Sequence, residues 1–240
     1  MLTFVLIHGA WHDGSCWDEV VAYLRNGGHV VHAPTIAGNG RNADRRVDHA
    51  VCTKSIVDFF VSQELGGVVL VGHSYGGTII AKVAEAEPQR LRRLVFFNAF
   101  VLNDGQCLFD ETPQNIEHTE RGATASGDDT FLPPFDMVRD VFFNTVSRED
   151  ALRFYGNWTP QPIQPFRDKL DLKKFFTLDV PKSYLHATED IRVPMPERSW
   201  HPRFSNRLQR FRYVAMPGDH EAMYTNPALL AQKLVEAGRD

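Results

Sequence analysis

Three residues far apart in the chain, Ser74, Asp190 and His220, have the types and settings that can do chemistry together. Ser74 lies in Gly72-His73-Ser74-Tyr75-Gly76, followed by a further glycine at Gly77. A serine hydroxyl is a weak nucleophile near neutral pH and needs a base within hydrogen-bond reach. An imidazole is such a base, and a carboxylate on its other ring nitrogen fixes the tautomer and stabilises the imidazolium. The run Val68 to Val71 before the serine reads as a buried strand, and Thr78 to Glu87 behind it as a helix. Strand, glycine-pinched turn and helix make the context of a nucleophile elbow. In such a turn the serine backbone is strained, and side chains at Gly72 and Gly76 would collide with the neighbouring strand and helix. The hydroxyl is then expected at the carboxyl end of the strand, beside the positive end of the following helix.

Asp190 follows the predicted strand Lys182 to Ala187. His220 falls between the last predicted strand, Arg212 to Ala215, and a closing helix from Asn226 to about Ala237, with Pro227 at its first position. Each of the three residues thus sits just past a strand, which places them on one edge of a sheet. Glu189 and Asp219 compete with Asp190 but are expected to point away, and Asp104 is a further candidate acid. For His220 the competing role is that of a surface histidine. Two backbone N–H groups, those of Ala10 and Tyr75, are the expected oxyanion donors: Tyr75 follows the serine, and Ala10 lies in the loop after the first strand. His8, His12 and His73 are read as structural hydrogen-bonding residues.

The elements that must position these groups alternate. Strands are predicted at Thr3 to Ile7, His29 to Ala33, Val68 to Val71 and Leu91 to Phe97, with helices at Cys16 to Asn26 and Val47 to Leu65 between the first three. This pattern implies an α/β fold, a doubly wound, mostly parallel sheet of about six strands with right-handed crossovers. From Asn98 to Val180 the alternation stops and aromatic residues and prolines take over. We expect one domain over residues 1–240, with a helical cap at 99–180 inserted after the strand ending near Phe97. Short cap helices are predicted at roughly Pro134 to Asn144 and Ser147 to Asn157. Trp11, Phe131, Phe135 and Trp158 are the expected pocket wall.

Composition narrows the partners. The chain has 240 residues, 43% of them apolar, and a formal net charge of −4, which disfavours a nucleic-acid partner. The basic residues Arg41, Arg45 and Arg46 are interrupted by acids and read as a solvated loop. No apolar run approaches the length of a membrane span. The opening, Met1 to Ile7, is too short for a signal sequence, and three cysteines (Cys16, Cys52, Cys107) without metal spacing fit a reducing compartment. A cytoplasmic location is therefore expected. With no phosphate loop, dinucleotide fingerprint or metal-ligand spacing, neither cofactor nor metal is expected. The oligomeric state is left open to a homodimer.

The chain resembles the α/β-hydrolase superfamily, and within it the compact branch of plant methylesterases, hydroxynitrile lyases and small bacterial esterases. The likeness spans nearly the whole chain: Phe4-Val5-Leu6-Ile7-His8-Gly9-Ala10-Trp11, the elbow, Leu172-Lys173-Lys174-Phe175-Phe176-Thr177, Ala187-Thr188-Glu189-Asp190 before Pro194, and Gly218-Asp219-His220-Glu221-Ala222-Met223. The order serine, aspartate, histidine is that of the superfamily. The resemblance implies triad roles for Ser74, Asp190 and His220, oxyanion roles for Ala10 and Tyr75, and a small carboxylic ester as substrate, with a carbamate or amide left open. Two departures bear on the chemistry. Lyases of this branch carry a threonine where this chain has Gly9 and a lysine where it has Glu221. A carboxylate in place of that cation disfavours holding cyanide. Ester hydrolysis is the leading expectation; cofactor-free lyase chemistry, or a slow-turnover receptor on the same scaffold, are the alternatives.

Overall fold

Strands buried on both faces need apolar side chains at every position, and the alternate positions of these runs divide cleanly between two cores. The computed structural model describes residues 1–193 and 199–240; Pro194, quoted above with the Asp190 motif, lies outside the described residues. The chain begins β1 (Thr3–Ile7), α1 (Asp18–Asn26), β2 (Val30–His32), α2 (His49–Ser62), β3 (Val68–His73), α3 (Gly76–Ala86) and β4 (Leu91–Phe97). An insert follows, with α4 (Leu108–Glu111), α5 (Ile116–Ser126), β5 (Thr130–Phe131), α6 (Phe135–Phe142), α7 (Arg148–Tyr155), β6 (Gln161–Pro162) and α8 (Gln164–Arg167). The chain then returns through β7 (Lys182–Ala187), β8 (Arg212–Met216), α9 (Ala222–Thr225) and α10 (Pro227–Gly238).

The six long strands pair in the order β2-β1-β3-β4-β7-β8, every pairing parallel. Phe4, Leu6, Val69, Val71, Val95 and Phe97 face Val20 and Leu24 of α1 and Leu230 and Leu234 of α10. Val5, Ile7, Val68, Leu70, Leu94 and Phe96 face Ile56 and Phe60 of α2 and Ile80 and Val83 of α3. Each such fully buried side chain contributes about 1.5–3 kcal/mol relative to exposure. The chain steps from β1 outward to β2, then crosses back to lay β3 on the other side of β1. The crevice between the carboxyl ends of β1 and β3 is the switch point at which ligands bind in open α/β sheets.

Local chemistry sets the element ends more tightly than periodicity does. Asp48 caps α2 by accepting from the Val51 N–H, which starts the helix at His49 rather than Val47. Glu64 turns into the left-handed region at φ +50°, so α2 stops short of Leu65. In the insert, α6 and α7 fall where expected, while α5 and the two-residue antiparallel pair β5–β6 were not foreseen. The α5 helix buries little more than Thr119 and Ala123, too weak an apolar stripe to read from sequence. Arg45 also departs from its expected solvated setting: its guanidinium donates to the carbonyls of Gly38, Gly40 and Pro160.

Candidate active site

The turn after β3 is built by close approach. Ser74 sits at φ +52°, a conformation costly for a residue with a side chain. A Cβ on Gly72 would lie 2.7 Å from the Gly76 carbonyl oxygen, and one on Gly76 would lie 2.6 Å from that of His8. Gly77 abuts the Phe100 carbonyl in the same way. The absence of side chains therefore lets β1, the elbow and the segment after β4 converge on one serine. Gly9 belongs to this set, since its Cβ would meet His73 Nδ1 at 2.9 Å and Ser74 Cβ at 3.1 Å.

Three strand ends bring Ser74, Asp190 and His220 together. His220 Nε2 is 3.0 Å from Ser74 Oγ, and His220 Nδ1 is 2.6 Å from Asp190 Oδ2. All three residues are buried, at 8%, 6% and 1% exposure for Ser74, Asp190 and His220. Asn98, at the end of β4, donates from Nδ2 to Asp190 Oδ2 at 2.5 Å and accepts the Ala187 N–H at 2.9 Å. The Arg192 backbone N–H donates to Asp190 Oδ1 at 2.8 Å. Burial alone would raise the Asp190 carboxyl, but the facing His220 and the Arg192 N–H hold it below its ordinary value, ionised at neutral pH. Trp200 stacks on the His220 ring at 5.2 Å and Phe142 meets it edge-on at 5.1 Å. Beneath it His73 donates from Nε2 to the His220 carbonyl at 3.0 Å, and burial pushes that imidazole far below its ordinary value, keeping it neutral.

The other candidate acids are engaged elsewhere. Asp104 accepts the Leu172 N–H, Glu189 is exposed, and Asp219 accepts from Thr145, Thr225 and the Glu221 N–H. His8 donates to the Gly9 carbonyl and accepts the Ile36 N–H, a neutral pairing that fits a value lowered by burial to about 4. His12 lies 2.6 Å from the Ala10 carbonyl through Nδ1 and 3.0 Å from the Glu221 carboxylate through Nε2. Among the described residues no group of His, Cys, Asp and Glu side chains is disposed to hold a metal ion.

Ser74 opens into a cavity of about 400 Å³ with largely apolar walls, floored by Ala10, Trp11 and Tyr75. The Trp11 N–H is taken by Gln161, whereas no acceptor among the described residues engages the N–H of Ala10 or Tyr75. Buried N–H groups are almost always paired, so two without an acceptor at a cavity that also exposes a serine are available to an incoming oxygen. Of the expected wall, Trp11 and Phe131 line the cavity, joined by a hydrogen bond from Trp11 Nε1 to the Phe131 carbonyl. Trp158 and Phe135 do not. Trp158 stacks behind Trp11 at 5.3 Å, and Phe135 packs on Tyr155 and under Arg148. Phe142, Val138, Phe109 and Phe166 take their places. A larger, more open groove of about 740 Å³ along α2, α3 and residues 168–171 contains none of these groups.

The whole chain has counterparts among known proteins. An extracellular α/β-hydrolase from a Paenibacillus species, which shares structural and functional homology with tobacco salicylic acid-binding protein 2, superposes with a TM-score of 0.97 at 42% identity, covering 100% of both chains. A carbendazim-hydrolysing esterase from Nocardioides is 30% identical over 99% of this chain and 100% of its own. Salicylic acid-binding protein 2 of Nicotiana tabacum is 27% identical over 97% of this chain and 95% of its own. The family model described as "Alpha/beta hydrolase family" matches residues 4–233. The chain belongs to that family. As an enzyme the hydrolase is a carboxylic-ester hydrolase, in line with relatives named as an esterase, a pyrethroid hydrolase and a plant methylesterase.

Several groups of the hydrolase's site escaped the sequence reading. Asn98 was legible only as a polar residue ending an apolar strand, in a left-handed conformation (φ +35°) that asparagine tolerates. Trp200, Phe142 and the Arg192 side chain carry no local motif at all.

Proposed function

We propose that the protein hydrolyses a small carboxylic ester or carbamate through an acyl-enzyme on Ser74. Ser74 Oγ attacks the carbonyl carbon while its proton passes to His220 Nε2, and Asp190 holds the imidazolium from Nδ1. The charge that develops on the carbonyl oxygen is taken by the N–H groups of Ala10 and Tyr75, one such donor commonly being worth about 10²–10³ in rate. The tetrahedral species collapses, the C–O bond breaks, and the leaving alcohol takes the proton from His220. A water molecule, deprotonated by the same nitrogen, then attacks the acyl-serine and releases the acid. The continuous contact from Ser74 Oγ through His220 to Asp190, at 3.0 and 2.6 Å, carries this reading. Every named group comes from one chain.

The apolar cavity admits a small aryl or alkyl group on either side of the bond, and the carbendazim-hydrolysing relative supports including carbamates. The lyase alternative is weakened by Glu221, whose carboxylate faces His12 rather than offering a cation near Ser74. A cytoplasmic location remains part of this reading on the strength of three unpaired, buried cysteines, although the Paenibacillus relative is extracellular. Ser74→Ala is expected to lower turnover of p-nitrophenyl acetate by at least about 10³-fold and to abolish labelling by a fluorophosphonate. Retention of either would remove Ser74 from the nucleophile's role.

A further inference from the structure

Among the described residues, the cavity wall contains no aspartate, glutamate or lysine and a single arginine, Arg192. Its backbone is fixed by the N–H donated to Asp190. Its guanidinium lies 5.0 Å from the centre of the Phe142 ring, the same ring that meets His220 edge-on at 5.1 Å. One ring's width therefore separates a fixed positive charge from the catalytic imidazole. No carboxylate among the described residues comes within ion-pair distance of that guanidinium. Asp190, whose field reaches it, is already occupied by His220 and Asn98. Burial works against the Arg192 charge, and a guanidinium offers a planar fork of donors suited to a carboxylate. Arg192 is half-buried at the cavity wall, where an anionic group would find a cation with no carboxylate already on it.

We propose that Arg192 selects, among esters, those carrying a second, anionic group separated from the scissile carbonyl by a short chain or one aromatic ring. The proposal rests on the ester-hydrolase reading for its catalytic half. The substrate is then amphipathic: its apolar spacer lies along Phe142 and Val138, its carbonyl lies at Ser74, and its carboxylate meets the Arg192 fork. The anion belongs either to the acyl part or to the alcohol part, and the two are separable by substrate.

Mono(4-nitrophenyl) glutarate carries the charge on the acyl side and 3-carboxyphenyl butyrate on the alcohol side; each is compared with its neutral primary-amide counterpart. The wild-type protein is expected to favour one of the anionic esters by on the order of ten- to a hundredfold in kcat/KM, mostly through KM, as befits a charge-assisted hydrogen bond. Arg192→Gln is expected to bring that ratio to within about threefold, and Arg192→Lys to keep part of it. A variant that merely disturbs the Asp190 loop lowers both members of a pair together and leaves the ratio unchanged, which overturns the proposal, as does a wild-type protein indifferent to both pairs. A second arm needs no turnover. In the Ser74→Ala background, calorimetric titration is expected to show hexanoate binding at least about tenfold tighter than hexanamide, with the difference lost on adding Arg192→Gln. If the difference persists without Arg192, the carboxylate sits on the Ala10 and Tyr75 donors and the proposal fails. If no ester is turned over and Ser74 is not labelled, the hydrolytic reading fails while the binding arm still decides the role of Arg192.

Discussion

At the scale of single residues, the site is governed by which charges are paired. Asp190 has its two oxygens shared among three donors, and His12 faces Glu221 behind the oxyanion loop, both side chains essentially without exposure. His12 also holds the Ala10 carbonyl, so the pair supports the loop after β1 that lines the cavity together with Ser74. Burial opposes a charge on His12, but the Glu221 carboxylate outweighs it and raises His12 above its ordinary value. A histidine raised in the folded state adds stability that is complete below its unfolded value of about 6.5 and is lost as the pH climbs through the folded value. Glu221→Gln removes the partner, a change that for buried pairs costs about 3–5 kcal/mol. The deficit in melting temperature relative to wild type is therefore expected to be largest near about pH 6 and to shrink toward about pH 9. A deficit constant across that range would mean the pair carries no charge. Residue types and motif spacing made Ser74, Asp190 and His220 legible in advance. Asn98 and Arg192 were not, because their placement depends on β4 lying beside β7 and on where the insert folds back, neither of which a local window of sequence encodes.

At the scale of elements, short-range sterics dominate. The elbow tolerates no Cβ at Gly72 or Gly76, because backbone oxygens at 2.7 and 2.6 Å cannot yield as a side chain would. Gly76→Ala is expected to cost about 1–3 kcal/mol by overpacking. It is also expected to lower kcat, because relief of the clash must displace either the His8 loop or the start of α3. A variant with wild-type denaturant midpoint and kcat would contradict this account of the turn. The glycine spacing announced this turn in the sequence, as the alternating strands announced the sheet, with β1, β4 and β7 found at the predicted limits. The rest of the insert was less legible because α4 and α8 are single turns and α5 is largely polar. Its aromatic residues serve two masters: Trp11 and Phe131 face the cavity, while Trp158 and Phe135 form a separate small core with Phe143 and Phe154. Composition alone cannot divide such residues between a wall and its backing.

At the scale of the molecule, the insert is tied to the catalytic edge rather than merely resting on it. Thr145 Oγ1 donates to Asp219 at 2.6 Å, next to His220, and Asn144 Nδ2 donates to the Glu189 carbonyl at 2.9 Å, next to Asp190. Hydrogen bonds to charged groups are worth about 1.5–3 kcal/mol, enough to couple the seating of α6 and α7 to the histidine loop. Thr145→Val is expected to speed amide hydrogen exchange across residues 132–158 and to raise KM for p-nitrophenyl acetate severalfold, more than it lowers kcat. Unchanged exchange with a fallen kcat would place the effect on His220 alone. The strand order has one more consequence. Ser74 and the Ala10 loop follow β3 and β1 in the middle of the sheet, whereas His220 follows β8 at its edge. The contact between hydroxyl and imidazole therefore exists only while that edge strand is docked.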